Sequence, residues 1–476
     1  MKEKSKKNFS NWFRTILDEA EIIDYRYPVK GFGCWRPYGF KIRKLTIDLL
    51  RRLLDESGHE EVLFPSLIPE NLMKKESTHI KGFEKEVFWA TKGGKKSLKI
   101  KLALRPTSET VMTPMINLWV RSHTNLPKKV YQIGSIYRHE TKATAPLIRV
   151  REVSTFKEAF TFHSSLDEAA KQVKEAVEIY KKFYDHLCIP YVLSERPEFD
   201  RFPGALYTFA FDTVLPDGKT LQIGTVHNLG QSFSQAFDAT FETLDGKQQF
   251  FYQTSYGVSE RVIAAIIAIH GDAHGLILPP VVAPIQIIVI PIPYKGVESE
   301  VLAKCKSITE KLKATGFRAE VDLRKDLTPG SKFYDWELKG VPIRIEIGPK
   351  DLKANTITMV RRDTLERTTK NEDEMVEAVK ELLHSVEENL RKKAWDWLES
   401  HKIVAQSLEE AKRLLGHRAG IVEVPWCEKN DCGIKIEEKT GGKPLGSQVE
   451  CSQEISGGCP ICGDKVRKML RLAKAY

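Results

Sequence analysis

From Ile42 to Leu54 the apolar residues Ile42, Leu45, Leu49, Leu50, Leu53 and Leu54 recur at the spacing of one helical face on an otherwise basic segment, which Gly58 ends. A short strand, Val62-Leu63-Phe64, and Pro65 follow. The segment LRPTSE (Leu104 to Glu109) reads as a strand running into a Pro-Thr-Ser turn, with Glu109 opening a helix. Between Gln132 and His163 the pattern becomes two antiparallel strands joined by a long polar loop. Arg138 and Glu140 are two apart on the first strand, so alternation puts a guanidinium and a carboxylate on one face. On the second, Glu152, Ser154, Phe156, Glu158 and Phe160 share a face and mix acceptors with aromatic walls.

An amphipathic helix is predicted between Glu168 and His186, and strands follow around the turn Pro216-Asp217-Gly218, which fixes their register. In TVHNLG, Thr225 and His227 fall on one strand face. Thr254 to Pro280 is a glycine turn leading into an apolar helix built on Ile263, Ile266, Ile267 and Ile269, with Arg261 in its first turn. From Val281 strands alternate with helices: QIIVIPI, a helix over 298–315, FRAEVDL, a helix after PGSKF, then PIRIEIG and ITMVRR. That alternation predicts a separate α/β domain with a mixed sheet. Residues 372–400 form a long charged helix carrying Trp395 and Trp397, which are expected to pack on the final module.

At 476 residues the chain holds roughly two to four domains. Its 74 basic and 64 acidic residues leave a formal charge of +10, which permits nucleic-acid binding without requiring it. No apolar run spans a bilayer, and the basic start MKEKSKKNFSNWF lacks the apolar core of a signal peptide, so a cytoplasmic protein with no membrane partner is expected. Cys34, Cys188 and Cys305 are scattered, whereas Cys427, Cys432, Cys451, Cys459 and Cys462 crowd the C-terminal stretch. In a reducing compartment the pairs CEKNDC (Cys427, Cys432) and CPIC (Cys459, Cys462) point to a closed, structural Zn²⁺ site of four thiolates. Cys451 is either a spare or a substitute for one of the four.

Several side chains suit anions and amines. An arginine grips a carboxylate or phosphate with two prongs, and a neighbouring glutamate accepts from an amine, although a salt-bridged exposed face would read the same way. Arg261 opposes the helix dipole at its position, and a bound polyanion accounts for it; an ordinary ion pair with Glu260 competes. Thr107 and Glu109 face either a ligand amine or merely a helix terminus.

The order of these units decides among the readings. A helix-strand-proline unit, an R-x-E hairpin and a G-x-x-x-R helix resemble motifs 1, 2 and 3 of the class II aminoacyl-tRNA synthetases. LRPTSE, TVHNLGQSFS, HGDAHGLILPP and PGSKFYDWELKGVPIRIEIGPKD are similar to the prolyl-tRNA synthetases, and the resemblance runs from about Tyr25 to Tyr476. It implies an α+β catalytic domain on an antiparallel sheet (1–280), an α/β anticodon-binding domain with a mixed sheet (281–385) and a small α+β zinc-binding domain (386–476). It also implies ATP-dependent ligation of L-proline to tRNA(Pro) through a prolyl-adenylate, with Mg²⁺ accompanying ATP, in a homodimer packed through motif 1.

Carried over residue by residue, Arg138, Glu140 and Arg261 would be catalytic. Arg138, Glu140, Arg149, Arg151, Gln222, Thr225 and Arg261 would hold ATP, and Thr107, Glu109, Phe156, Glu158, His227 and Ser255 the proline. Arg344, Glu346 and Lys350 would meet the anticodon. The cysteine-rich end and Tyr476 look like the archaeal and eukaryotic branch. Two positions depart from the family pattern: Val153 stands where a phenylalanine stacks on adenine, and Phe160 where a histidine is frequent. The stretch between His163 and Thr254 is filled by one helix and several strands, so no built-in editing insertion is expected. A synthetase for threonine, histidine or glycine, or a non-catalytic tRNA-binding relative, remains the alternative; LRPTSE and TVHNLG favour proline.

Overall fold

The computed structural model describes residues 8–75, 86–449 and 457–476. The first apolar stripe forms α1 (Pro37–Asp55), which starts on a proline suited to the first turn and buries Ile42, Leu49, Leu50 and Leu54. The strand after it is Glu60–Glu61, two residues earlier than expected. Val62 still donates to the Tyr131 carbonyl at 2.8 Å. The N–H of Phe64 goes instead to the Gln132 side chain at 3.0 Å, so regular pairing stops before Pro65.

Next come α2 (Glu109–Trp119), β1 (Lys128–Tyr137), β2 (Glu152–His163), α3 (Leu166–His186), β3 (Val192–Glu195), β4 (Tyr207–Val214), β5 (Thr220–Gly230), β6 (Tyr252–Ser259) and α4 (Arg261–His270). The six strands pair antiparallel in the order β1-β2-β6-β5-β4-β3, with Glu60–Glu61 added parallel beside β1. Helices α1, α3 and α4 cover one face, where Ile42, Leu50, Phe183, Ile263, Ile266 and Tyr256 share one core. Alternation along β2 sends Lys157 to that side, its Nζ donating to the Tyr180 hydroxyl at 2.7 Å, and Glu158 to the other. The second face is covered at one end by α2, whose Val111, Met112 and Ile116 pack with Val130, Phe160 and Phe162, and is open beside it as a cavity.

The mixed sheet is observed as β7 (Ile287–Pro291), β8 (Ala319–Val321), β9 (Ile343–Ile347), β10 (Thr356–Arg361) and β11 (Arg367–Asn371), in the order β8-β7-β9-β10-β11. Strand β7 is parallel to β8 and β9, and the remaining pairs are antiparallel. The helix α5 (Glu298–Ala314) packs Val301, Cys305, Ile308 and Leu312 on Ile287, Val289, Ile343 and Ile345. A second helix, α6 (Pro329–Leu338), lies between β8 and β9 in sequence.

The long helix α7 (Met375–Ser400) begins on this mixed sheet with Met375, Val379 and Leu383. Its far end reaches the first sheet, where Trp395 meets Tyr191 at 5.5 Å and the Trp397 indole donates to the Val214 carbonyl at 3.1 Å. The last module contains β12 (Lys402–Val404), α8 (Leu408–Gly416), β13 (Ile421–Trp426), α9 (Asn430–Thr440), β14 (Lys443–Gln448) and β15 (Lys468–Ala473). It does not stand apart: β14 pairs with β3 through Ser447 and Glu195, which makes one eleven-stranded sheet of the described residues. Beyond β15 the chain continues alongside β5, with the Tyr476 N–H on the Thr220 carbonyl at 3.1 Å. Among the described residues no helix is long and apolar enough to cross a membrane.

Candidate active site

A cavity of about 540 Å³ opens on the part of the second sheet face that α2 leaves uncovered, floored by β2, β6 and β5. One end is cationic. Arg138, Arg149 and Arg261 line it together with Glu140 and Gln222. Arg261 is the first residue of α4 and is held by its Nε on the Ile148 carbonyl at 2.8 Å. Burial, then the neighbouring Arg138 and Arg149, pull its guanidinium down to about 10, as expected where like charges gather. Arg138 is lowered too, first by burial, with Glu158 and Glu86 working the other way.

Arg138 and Glu140 lie beyond the end of β1 rather than on it. The chain turns there, the Glu140 N–H returning to the Arg138 carbonyl at 2.7 Å. Both side chains reach the cavity nonetheless. Strand β2 differs as well: Gly134 faces Phe156 but Ile136 faces Val153, so Ser154 and Thr155 together oppose Ser135 in a bulge. The bulge reverses the expected alternation on its N-terminal side only. Val153, Phe156 and Glu158 line the cavity, while the Ser154 hydroxyl turns away to Glu260 and Trp35.

The opposite end is a network of buried acceptors. Glu158 accepts from the Ser108 N–H at 3.1 Å, the Ser108 hydroxyl at 2.5 Å and the Gln132 amide at 3.1 Å. Glu109, at the start of α2, accepts from the Ser255 hydroxyl at 2.8 Å and from Thr107. Thr107 lies between the two carboxylates, 3.2 Å from Glu158. Burial, followed by the charge of Glu109, raises the Glu158 carboxyl. Such a pair is poised for a cation with N–H groups to share.

His227 closes this end with its ring 4.6 Å from that of Phe202, and its Nδ1 shares a 2.9 Å hydrogen bond with the Thr208 hydroxyl. Burial pushes its imidazole down to about 3, so it is neutral and serves as wall and hydrogen-bond partner. Thr225 joins it from the same strand.

Not every expected residue faces the cavity. Arg151 stands behind it, its guanidinium donating to the Glu140 carbonyl at 3.3 Å and its N–H to Gly31 at 2.9 Å. Phe160 is fully buried in a different cluster with Phe64 and Phe162. Phe202 and Arg196, the latter ion-paired with Asp212 at 2.9 Å, also line the cavity and had no sequence signal; Glu260, read only as an ion-pair partner of Arg261, and Tyr476, read only as a mark of the branch, line it as well, the Tyr476 hydroxyl donating to Asp217 at 2.8 Å. Their positions depend on pairings between segments far apart in the chain.

On the mixed sheet, Arg344 and Glu346 bond each other at 2.9 Å, and Arg344 also holds Glu337 at 2.7 Å. Both are buried on the face of β9 that turns toward α6, with the Arg344 guanidinium 4.1 Å from the Phe333 ring. Lys350 is exposed.

Cys427, Cys432, Cys459 and Cys462 gather so that their sulfurs all lie within 4.8 Å of one another. A tetrahedral Zn²⁺ with bonds of about 2.3 Å places its sulfurs roughly 3.8 Å apart, so the cluster has the size and donor chemistry of that ion. Burial opposes ionisation of Cys459, but N–H groups of Ile461, Cys462 and Cys427 outweigh it and bring the thiol to about 7. Cys451 lies outside the described residues.

Known proteins resemble the chain along its whole length. Residues 89–270 match the tRNA synthetase class II core domain (G, H, P, S and T), residues 286–382 an anticodon binding domain, and residues 408–476 the C-terminal domain of prolyl-tRNA synthetase. A proline–tRNA ligase of Saccharolobus islandicus is 55% identical over 478 residues, spanning 100% of this chain and 99% of its own. One from Sulfolobus acidocaldarius is 52% identical, with coverage of 100% and 99%. Among solved structures, Giardia lamblia prolyl-tRNA synthetase in complex with prolyl-adenylate superposes with a TM-score of 0.96 at 35% identity, covering 100% of this chain and 99% of that one.

Proposed function

The chain belongs to the prolyl-tRNA synthetase family, and from that premise we propose how its cavity carries out the family reaction, ATP-dependent ligation of proline to tRNA through a prolyl-adenylate. The observation that carries the assignment of ends is their opposite character: three arginines at one, two buried carboxylates around Thr107 at the other. Glu109, Glu158 and Thr107 take the secondary ammonium of proline, with Ser255 fixing Glu109 and with Phe156 and His227 as walls. Arg138 stands between the ends and meets the proline carboxylate and the α-phosphate. Glu140 accepts from the adenine amine. Arg149 and Arg261 take the terminal phosphates, and Gln222 and Thr225 border the nucleotide.

ATP is used by class II synthetases with Mg²⁺, as the magnesium complex. A proline carboxylate oxygen attacks the α-phosphorus, the bond from that phosphorus to the bridging oxygen breaks, and pyrophosphate leaves with its charge. Neither partner needs a proton moved, so the residues act by alignment and charge neutralisation. A terminal ribose hydroxyl of tRNA then attacks the carbonyl carbon of the adenylate, the bond from that carbon to the phosphate oxygen breaks, and AMP departs, its phosphate placed to take the hydroxyl proton. The mixed sheet is the proposed anticodon-binding domain; there Lys350 is open to RNA, whereas Arg344 and Glu346 act by holding β9. We divide the chain into 1–280, 281–385 and 386–476, with the four cysteines as a structural Zn²⁺ site.

Proline-dependent exchange of labelled pyrophosphate into ATP tests this reading. Exchange is expected with proline and not with threonine, histidine or glycine; no exchange by folded protein would leave the tRNA-binding alternative.

A second copy of the chain is the proposed partner of the motif 1 face. Phe40, Leu63, Leu118 and Trp119 are exposed there, Leu63 at 76%, with the Trp119 ring stacked on Phe64 at 5.7 Å. Sedimentation at micromolar concentration is expected to give a dimer, and Leu63→Asp a shift toward monomer. A wild-type monomer would remove the proposal.

A further inference from the structure

Glu260 precedes Arg261, is 2% exposed, and is where three distant segments meet. One carboxylate oxygen, Oε2, accepts from the Ser154 hydroxyl at 2.7 Å and from the Thr155 N–H at 3.1 Å. The Glu260 N–H donates to the Thr155 carbonyl at 3.0 Å. Ser154 and Thr155 are the two residues of the β2 bulge, so the carboxylate closes over the one place where that strand lacks regular pairing. From the other side the Trp35 indole donates to the Ser154 hydroxyl at 2.8 Å. Arg43, on α1, donates through Nε to the Thr155 hydroxyl and through Nη2 to the Ser154 carbonyl at 3.4 Å.

We propose that Glu260 is a positioning residue that clamps the bulge to the N-terminus of α4 and so sets Arg261 for the nucleotide, while Arg43 and Trp35 extend the clamp to α1. The proposal rests on the reading of Arg261 as a phosphate ligand. Geometry favours a clamp over a charge: both bonds to the Glu260 side chain fall on the same oxygen, which a neutral amide reproduces. Burial pushes the Glu260 carboxyl up to about 7, in keeping with a group whose acceptor oxygen matters more than its ionisation. Helix α1 also carries exposed Phe40, so the clamp connects the proposed dimer face to the ATP end of the cavity.

The test uses the full chain with Glu260→Ala, Glu260→Gln and Arg43→Ala, each checked by thermal melting. In exchange assays Glu260→Ala is expected to raise KM for ATP about tenfold, with KM for proline within about twofold, because the loss of two hydrogen bonds falls on one ligand. Glu260→Gln restores most of the loss. Arg43 is half-buried, and its removal gives the same ATP-selective effect in smaller measure. Equal shifts in both KM values, no shift, or a glutamine variant as poor as alanine would overturn the clamp. ATP binding measured by calorimetry separates it from the underlying reading. Wild type that binds ATP but exchanges nothing defeats the assignment of the reaction, and the clamp is then judged on the ATP Kd of the same three variants.

Discussion

Arg138→Ala is expected to lower proline-dependent pyrophosphate exchange by about a thousandfold or more, with the far-ultraviolet spectrum unchanged. The side chain is the one cation proposed to meet both substrates. It is anchored by its Nε on the Pro106 carbonyl at 3.1 Å and lines the cavity between the arginine and carboxylate ends. In a site shielded from water, a charge-assisted hydrogen bond contributes about 1.5–3 kcal/mol, so removing two of them from the transition state costs about 3–6 kcal/mol, a range whose middle is near a thousandfold. Arg138→Lys should recover only a small part, because a point charge cannot bridge two anions as a planar fork does. Activity within tenfold of wild type would mean that some other group aligns the reactants.

Metal analysis should give about one zinc per chain, and stripping it should damage both stability and catalysis. The four sulfurs are already gathered, with Cys462 and Cys427 Sγ 3.6 Å apart. Four bare thiols at that spacing gain little from one another, whereas structural Zn²⁺ contributes roughly 10–16 kcal/mol of apparent binding energy in isolated zinc modules. Cys459 and Cys432 are also part of the local core with Trp426, Ile436 and Leu470. Loss of the ion therefore loosens β13 and β15, which lie in the same sheet as the cavity floor. Cys459→Ser or prolonged chelation is expected to lower the melting temperature and the exchange rate together. A metal-free preparation with full activity would contradict this.

Periodic features could be read from the sequence, whereas features set by long-range pairing could not. Helices α1, α3, α4, α5 and α7 were legible because each carries an apolar stripe, and the mixed sheet because its strands alternate with helices. LRPTSE, the R-x-E turn and the arginine after the glycine turn were legible as chemistry, since few structural needs call for such residues in that order. What escaped was set by single irregularities. One extra residue in the β2 bulge turned Ser154 away from the cavity, and a bend after Tyr137 took Arg138 and Glu140 off their strand. Arg344 and Glu346 were expected to meet the anticodon; α6 covers them, and they bond each other. Tyr476 reaches the cavity by running beside Thr220 of β5, a pairing across the length of the chain that local pattern cannot reveal, and Arg196 by its bond to Thr208 of β4.

The placement of β14 and β15 next to β3 has a kinetic corollary. Strands some two hundred and fifty positions apart in the chain become neighbours, and closures over such separations are slow relative to the local hairpins formed by β1, β2, β4, β5 and β6. A nascent chain emerging from the ribosome can therefore assemble the floor of its reaction chamber long before the wall bearing Lys443 and Tyr476 exists. A chain in which β14 and β15 have not yet paired would be folded in part yet unable to enclose its substrates.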